Sequence, residues 1–508
     1  MTSKEKRRLR QEERDIKIMN DIISGRVTVE MPKRPKKQAQ ANRIGGAASV
    51  EEQDYLAACY MRLLRFLLPG ILAELSSLDD IRDQNRIKHS LPTLILYGIL
   101  LFLCHTSSRR AANREVGGSQ LYELMEEFVP DFRSMPHADT LSRLLKGIDA
   151  NELESKYEGL IEGFIKSSQF NKLNPGRFLI AVDGTQKFSR TWRWDSRALS
   201  KNAGDPDKER YSAYMLESVL VLNNDMVLPL LTETLENGEC LDGNGKQDCE
   251  QKAFKRLAER LMKLFGKGCV TVVLDGLYAK GPVISQCKNY GWEYMITLKS
   301  ECLKTVWEDF KGLRKIEHKN NLIATYDDGL IQEYDWSNGI EYTYGNNHKQ
   351  LSLNVLTCQE TWYDESKIKG KPCQKTTTFS WLSSSKLNSD NVVGLCKIAR
   401  RRWRIENHFL MVKTQGYEYE HCFSYNWNAM KCYNCLLKIA NFINTIILHS
   451  QLMQDYVVAE GKQGVIKKVW NYMKIRKISD FCPVLVSSDI ARDKKKIHYG
   501  RVKIKEAA

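Results

Sequence analysis

The sequence predicts an α/β protein in which a mixed β-sheet flanked by helices follows a helical region and is interrupted by a β-rich insertion. Three observations lead there. Two short apolar runs, Phe178 to Val182 and Val270 to Leu274, each stop at an Asp-Gly pair, as buried strands do. Two more β-rich runs lie between them around a turn-forming junction. On both sides of these strands the apolar residues recur at helical spacing.

Residues 1–53 are rich in Lys, Arg and Gln, include the basic run Pro32 to Lys37 and show no sustained apolar face, which predicts a flexible basic arm. Residues 54–170 carry helical periodicity, with Asp139 expected to cap a helix that presents Leu141, Leu144 and Leu145. Residues 171–300 change period. After the strand ending at Asp183, the runs Met215 to Leu222 and Met226 to Thr234 flank Asn223, Asn224 and Asp225, a junction that predicts an antiparallel hairpin. A helix from about Glu250 to Phe265 precedes the strand ending at Asp275, and Tyr294 to Leu298 is a further strand. Three strands followed by alternating helix and strand is the order of a ribonuclease-H-like sheet. Its first and fourth strands lie side by side, so Asp183 and Asp275 are expected to meet at their carboxyl ends.

Residues 301–385, with runs such as Leu351 to Leu356 and Thr376 to Leu382, read as the β-rich insertion. Helical spacing returns in residues 386–455. Ser389 is expected to cap one long helix running through Glu406 to Lys413, and Asn428 to cap another containing Leu436, Leu437, Ile439, Ile443 and Leu448. Residues 456–508 form a basic C-terminal region ending in a tail with Lys494, Lys495 and Lys496 in a row. There is no internal repeat.

A chain of 508 residues with 42% hydrophobic content is long enough for a large core with accessory domains. Seventy-seven Lys and Arg against 62 Asp and Glu leave a formal charge of +15, which favours polyanionic partners and narrows the partner rather than the chemistry. Fourteen cysteines without regular spacing, and no apolar N-terminal signal segment, argue for reduced thiols in a cytoplasmic protein. The most apolar stretch, Leu91 to Cys104, falls short of the roughly 20 residues a membrane span needs and reads as a core helix.

The acids carry the chemical expectation. Phosphodiester hydrolysis and strand transfer need an activated oxygen nucleophile and relief of charge on the phosphate, and two divalent ions about 4 Å apart supply both. Mg²⁺ is commonly held by a few carboxylates, so three convergent acids suffice. Glycines after Asp183 and Asp275 are expected to fix each carboxylate and leave room for a phosphate. Arg402, Glu406 and Lys413 stand four and seven residues apart, which puts them on one helix face and sets a carboxylate among cations. A surface ion pair between Arg402 and Glu406 would give the same spacing.

This series resembles the DDE transposases of the insertion-sequence-four group, whose signature is Tyr, Arg three residues on, Glu four further and Lys seven beyond. Arg402, Glu406 and Lys413 match in order and spacing, whereas Ala399 stands at the Tyr position. The run from Ile405 through Gly416 and His421 to Met430 is also similar, and the long interval from Asp275 to Glu406 resembles that group's β-rich insertion. The resemblance covers roughly Arg177 to Leu448. It implies a cut-and-paste transposase whose Asp183, Asp275 and Glu406 bind two Mg²⁺ or Mn²⁺ ions, with Arg402 and Lys413 on DNA phosphates. It also implies double-stranded DNA as partner, both element ends and target, a homodimer on that DNA, no membrane, and a nucleoid-associated place in the cytoplasm. Within that reading residues 54–170 are the candidate DNA-binding domain. A nuclease of the same fold that cuts without joining shares all these acids, and a silent DNA-binding descendant shares the basic surfaces.

Weaker signals remain. Cys432 and Cys435 have a zinc-like spacing near His421 and Cys422 but fall in the apolar pattern of a helix, where buried thiols are ordinary. Arg190, Trp192, Arg193, Trp194 and Arg197 interleave aromatic and basic residues, which suits either base stacking or a structural loop. Trp307 and Trp336 are further stacking candidates in or near the insertion.

Overall fold

The computed structural model describes residues 27–28, 49–166, 176–202, 205, 207–222, 226–237, 247–326, 329–364, 373–482 and 505–506. The expected N-terminal arm lies almost wholly outside the described residues, as does the tail with Lys494 to Lys496. Helices come first: α1 (Val50–Leu75), α2 (Leu91–Leu103), α3 (Arg109–Glu115), α4 (Tyr122–Phe128), α5 (Ala138–Gly147) and α6 (Ala150–Ile165). Then follow β1 (Phe178–Arg190), β2 (Leu199–Lys201), β3 (Arg210–Val221), β4 (Val227–Leu235), α7 (Glu250–Phe265), β5 (Val270–Leu274), α8 (Gly281–Asn289) and β6 (Glu293–Thr297). After α9 (Lys304–Arg314) come β7 (Asn321–Thr325), β8 (Ile331–Tyr344), β9 (Lys349–Asp364) and β10 (Cys373–Ser383). Helices return as α10 (Val392–Arg400), α11 (Trp403–Thr414), α12 (Trp427–Leu448), α13 (Gln451–Ile475) and α14 (Ile478–Phe481).

The chain divides into two compact units, the described parts of Met1–Pro175, Lys187–Arg197 and Leu410–Ala508 in one, and of Gly176–Gln186 and Ala198–Phe409 in the other. The first is helical and is built on α12, which is buried along most of its length and packs against α2, α5 and α6. Some of its buried polar residues pair internally: Lys187 donates to the Tyr419 carbonyl at 3.0 Å and to Asn434 Oδ1 at 2.9 Å, and Asn444 bridges Tyr60 and Tyr417. Helix α1 is long and apolar enough by composition to cross a membrane, but 67% of its most apolar stretch is buried within the protein. It packs instead against α13 and α2.

The second unit is a mixed sheet with a ribonuclease-H-like order, β4-β3-β1-β5-β6. The hairpin β3–β4 is antiparallel, with Val221 opposite Val227, while β5 lies parallel to both β1 and β6. Strand β5 is buried at every position, as a central parallel strand covered on both faces must be. The insertion extends this same sheet: β10 pairs antiparallel with β6 through Trp381 and Thr297, and β9, β8 and β7 follow in turn. Helix α7 packs on β3 and β4, and α10 packs on β6. One apolar core joins strands and insertion to the helices beyond, running from Leu179, Val219 and Val273 through Trp336, Leu356 and Trp381 to Cys396, Ile405 and Phe409.

Three local expectations need correction. The cap of α5 is His137, whose ring accepts from the Asp139 amide at 3.2 Å, and Asp139 lies in the first turn. The cap of α12 is Asn426, which accepts from the Ala429 amide, because Asn428 turns its amide to the carbonyls of Leu145 and Ile148. The single helix expected from Ser389 is two. Asn388 takes the amides of Asp390 and Asn391 in a side-chain turn that delays the start of α10 to Val392. The helix then breaks at Arg401 and Arg402, whose amides bond three residues back, to Ile398 and Ala399.

Candidate active site

Parallel register places the first two acids. Val182 of β1 lies opposite Leu274 of β5, so Asp183 and Asp275 follow at adjacent positions where the chain leaves this ladder. Helix α11 brings the third. Ile405 and Phe409, one turn apart, are buried in the sheet core, and Glu406 beside Ile405 stands less buried. Ala399, at the position where the resembled signature has Tyr, is buried in the same core and offers no hydroxyl.

The helix break spreads three consecutive arginines to three anchors. Arg400 pairs with Glu360 of β9 and lies over the Phe379 ring. Arg401 donates to the Leu222 carbonyl at 2.6 Å, tying the break to the end of β3. Arg402, only 8% exposed, binds Glu406 at 2.8 Å and reaches Asp183 at 3.8 Å, so one guanidinium spans two of the acids. Such a fork suits two carboxylates, and it suits phosphate oxygens equally well.

The two aspartates sit in different fields. Burial, reinforced by the negative charges of Glu250 and Asp275, raises the Asp183 carboxyl to about 6 against the pull of the Gly184 amide and Arg402. At Asp275 burial also works upward, but the Gly276 amide, Lys299 and Arg402 outweigh it and hold the group below its ordinary range. Lys299 lies just beyond β6 and binds Asp275 at 3.1 Å.

Both glycines allow a close approach of the chain's own side chains. A Cβ on Gly184 would lie 2.6 Å from Glu250 Cδ and 2.7 Å from the Tyr214 ring, and one on Gly276 would meet the Lys299 stem at 2.9 Å. The position a Cβ would take on each glycine is already filled by the chain's own side chains. Glu250 opens α7 and accepts from Tyr214 Oη at 3.0 Å and Tyr278 Oη at 2.8 Å. Burial first, then the Glu250 and Asp183 charges, push both phenols upward. Glu250, Tyr214, Tyr278 and Lys299 escaped the sequence reading, where Glu250 looks like an ordinary acid at a helix start.

Hard carboxylate oxygens suit a hard divalent cation, and it is burial first that holds Asp183 above its ordinary range. The ligand set is not closed. Among the described residues no group of three or more His, Cys, Asp or Glu side chains is placed to hold a metal ion. Arg402 takes up the charge of Asp183 and Glu406 instead.

Lys413, in the last turn of α11, pairs with Glu420 at 2.9 Å. Cys432 and Cys435 are buried on α12, with the Cys435 thiol turned to the Leu153 carbonyl. Trp336 is buried in the sheet core, which removes it as a stacking surface, and the Trp307 indole donates to the Lys299 carbonyl at 3.0 Å.

Fold and side chains together define a ribonuclease-H-like domain with a carboxylate and guanidinium cluster where β1 and β5 stop pairing, although β1 itself runs on past Asp183 to Arg190 and does not end there as expected. Residues 249–443 match the transposase DDE domain family, and residues 72–159 match the DDE-transposase-associated family that accompanies it. The chain therefore carries the domains of a DDE-transposase-type protein. No curated protein matches it.

Proposed function

We propose that this protein is a DNA transposase that cleaves at element ends and transfers the freed strand into target DNA, with Asp183, Asp275 and Glu406 as its catalytic carboxylates. The observation that carries the reading is that Arg402 reaches both Asp183 and Glu406, while Asp275 directly follows Leu274, the residue opposite Val182 on the adjoining strand. Mg²⁺ or Mn²⁺ held by the three acids would supply the activated oxygen nucleophile and neutralise charge on the phosphate. Arg402 would hold a DNA phosphate by its fork, and Lys413 a second phosphate as a point charge. Double-stranded DNA, as element ends and target, is the partner, and a dimer on DNA would join two ends at once. The cytoplasmic nucleoid is its proposed place.

The test is strand cleavage and joining on DNA carrying the ends that flank the coding sequence, with Mg²⁺ or Mn²⁺, comparing wild type with Glu406→Gln. Joined products in wild type, reduced at least a hundredfold in the variant, are expected. Metal-dependent cleavage without joining would make the protein a nuclease. The open ligand set favours a second reading, a silent DNA-binding descendant of a transposase, which predicts tight DNA binding and no chemistry in either protein.

A further inference from the structure

Arg190, Trp192, Arg193, Trp194 and Arg197 interleave aromatic and basic residues along the chain, and the structure gives them different surroundings. Arg197 is engaged with Asp195 through two bonds of 2.8 and 2.9 Å and lies over the Trp427 ring. Trp194 packs on Phe188, with ring centroids 5.0 Å apart. Trp192 and Arg190 differ. Trp192 is 51% exposed and meets Tyr425, itself 44% exposed, at a centroid distance of 5.2 Å and an angle of 50°. Arg190 donates from Nε to Tyr425 Oη at 3.0 Å and from Nη1 to the Ser189 carbonyl, and its guanidinium lies over the Tyr425 and Phe188 rings. Two large rings thus pack on each other, one of them held by a cation, while about half of their surface faces water. The local field is positive as well: Arg109, Arg190 and Lys187 all act as like charges on His421, adding to its burial.

We propose that Trp192, Tyr425 and Arg190 form a platform that binds an unpaired nucleotide of a DNA strand, base against Trp192 and phosphate against the guanidinium. A base in duplex has both faces stacked already and gains nothing here, whereas an unpaired base offers a π-face to the ring whatever its sequence. Arg190 is the cation such a platform requires, because its fork spends Nε and one Nη1 hydrogen inside the protein and its Nη2 hydrogens remain for phosphate oxygens. A second copy of the chain, covering the rings as a dimer contact, is the competing occupant. The platform rests on the DNA reading above and deepens it.

The test measures anisotropy of a labelled short oligothymidylate and of a labelled duplex with the full-length protein, beside sedimentation velocity and the cleavage assay. Trp192→Ala and Tyr425→Ala are expected to weaken oligothymidylate binding about tenfold or more, with duplex affinity unchanged. Trp192→Phe keeps most of the affinity, and Arg190→Gln weakens binding with a shallower salt dependence. Equal oligothymidylate affinity in wild type and Trp192→Ala overturns the platform. So does self-association lost in Trp192→Ala without change in that affinity. Cleavage and joining with Trp192-independent oligothymidylate binding would sink the platform and leave the transposase, whereas Trp192-dependent binding without cleavage would leave the platform and sink the transposase.

Discussion

Arg402 pairs with two acids from a nearly buried position. Arg402→Met leaves the Asp183 and Glu406 charges without that partner, so cleavage should fall at least tenfold and stability should drop by about 1–3 kcal/mol, measured by denaturant unfolding. Gly184→Ala tests the crowding beside Asp183. Its methyl has no place between Glu250 and Tyr214 without displacing one of them, and cleavage should fall tenfold or more while duplex binding is kept. These residues show what a sequence makes legible. Asp183 and Asp275 stand out because an apolar run closed by Asp-Gly is a local pattern, although β1 runs on past Asp183, and Arg402 with Glu406 stands out because helical spacing is local too. Glu250 and Lys299 stand far along the chain from the aspartates they touch. The packing of α7 on β3 and β4 brings in the first, the pairing of β5 with β6 the second, and no spacing rule reports either.

At the scale of elements, the break between α10 and α11 is the feature that spacing missed. Periodicity continues across it because Cys396, Ala399, Ile405 and Phe409 all enter one core. What changes is the backbone, where amides bonding three residues back turn Arg401 and Arg402 toward separate anchors. The strand order was readable for the same reason that the helix break was not: order follows from the succession of periods, whereas a break needs the hydrogen bonds themselves. Ile405→Ala should cost about 2–4 kcal/mol in denaturant unfolding, since a fully buried side chain is lost from the core. Because Glu406 adjoins it, cleavage should fall further than the stability loss alone explains, which a cleavage assay well below the melting temperature would show.

For the molecule as a whole, acid stability has an identifiable contributor in the helical unit. Burial, with Lys467 and Lys474 adding like charge, lowers His105 to about 4 from an ordinary value near 6.5. The folded protein thus needs His105 neutral, so its contribution is complete above about pH 6.5 and is lost as pH falls toward 4. At pH 5 wild type should have lost about 2 kcal/mol through this group. His105→Asn, a residue that tolerates the left-handed backbone found there, should lose correspondingly less between pH 7 and pH 5 in thermal melts. The insertion bears on solubility in a different way. Because β10 covers β6, the ribonuclease-H-like sheet has no bare edge on that side, and the outermost strand is the short β7, whose exposure alternates along its five residues. Replacing residues 304–383 by a short linker would uncover the hydrogen-bonding side of β6 next to a fully buried β5, a template onto which other chains can add strands. The trimmed protein should precipitate at concentrations where the whole chain stays dispersed, which makes the insertion an insulator as much as an accessory.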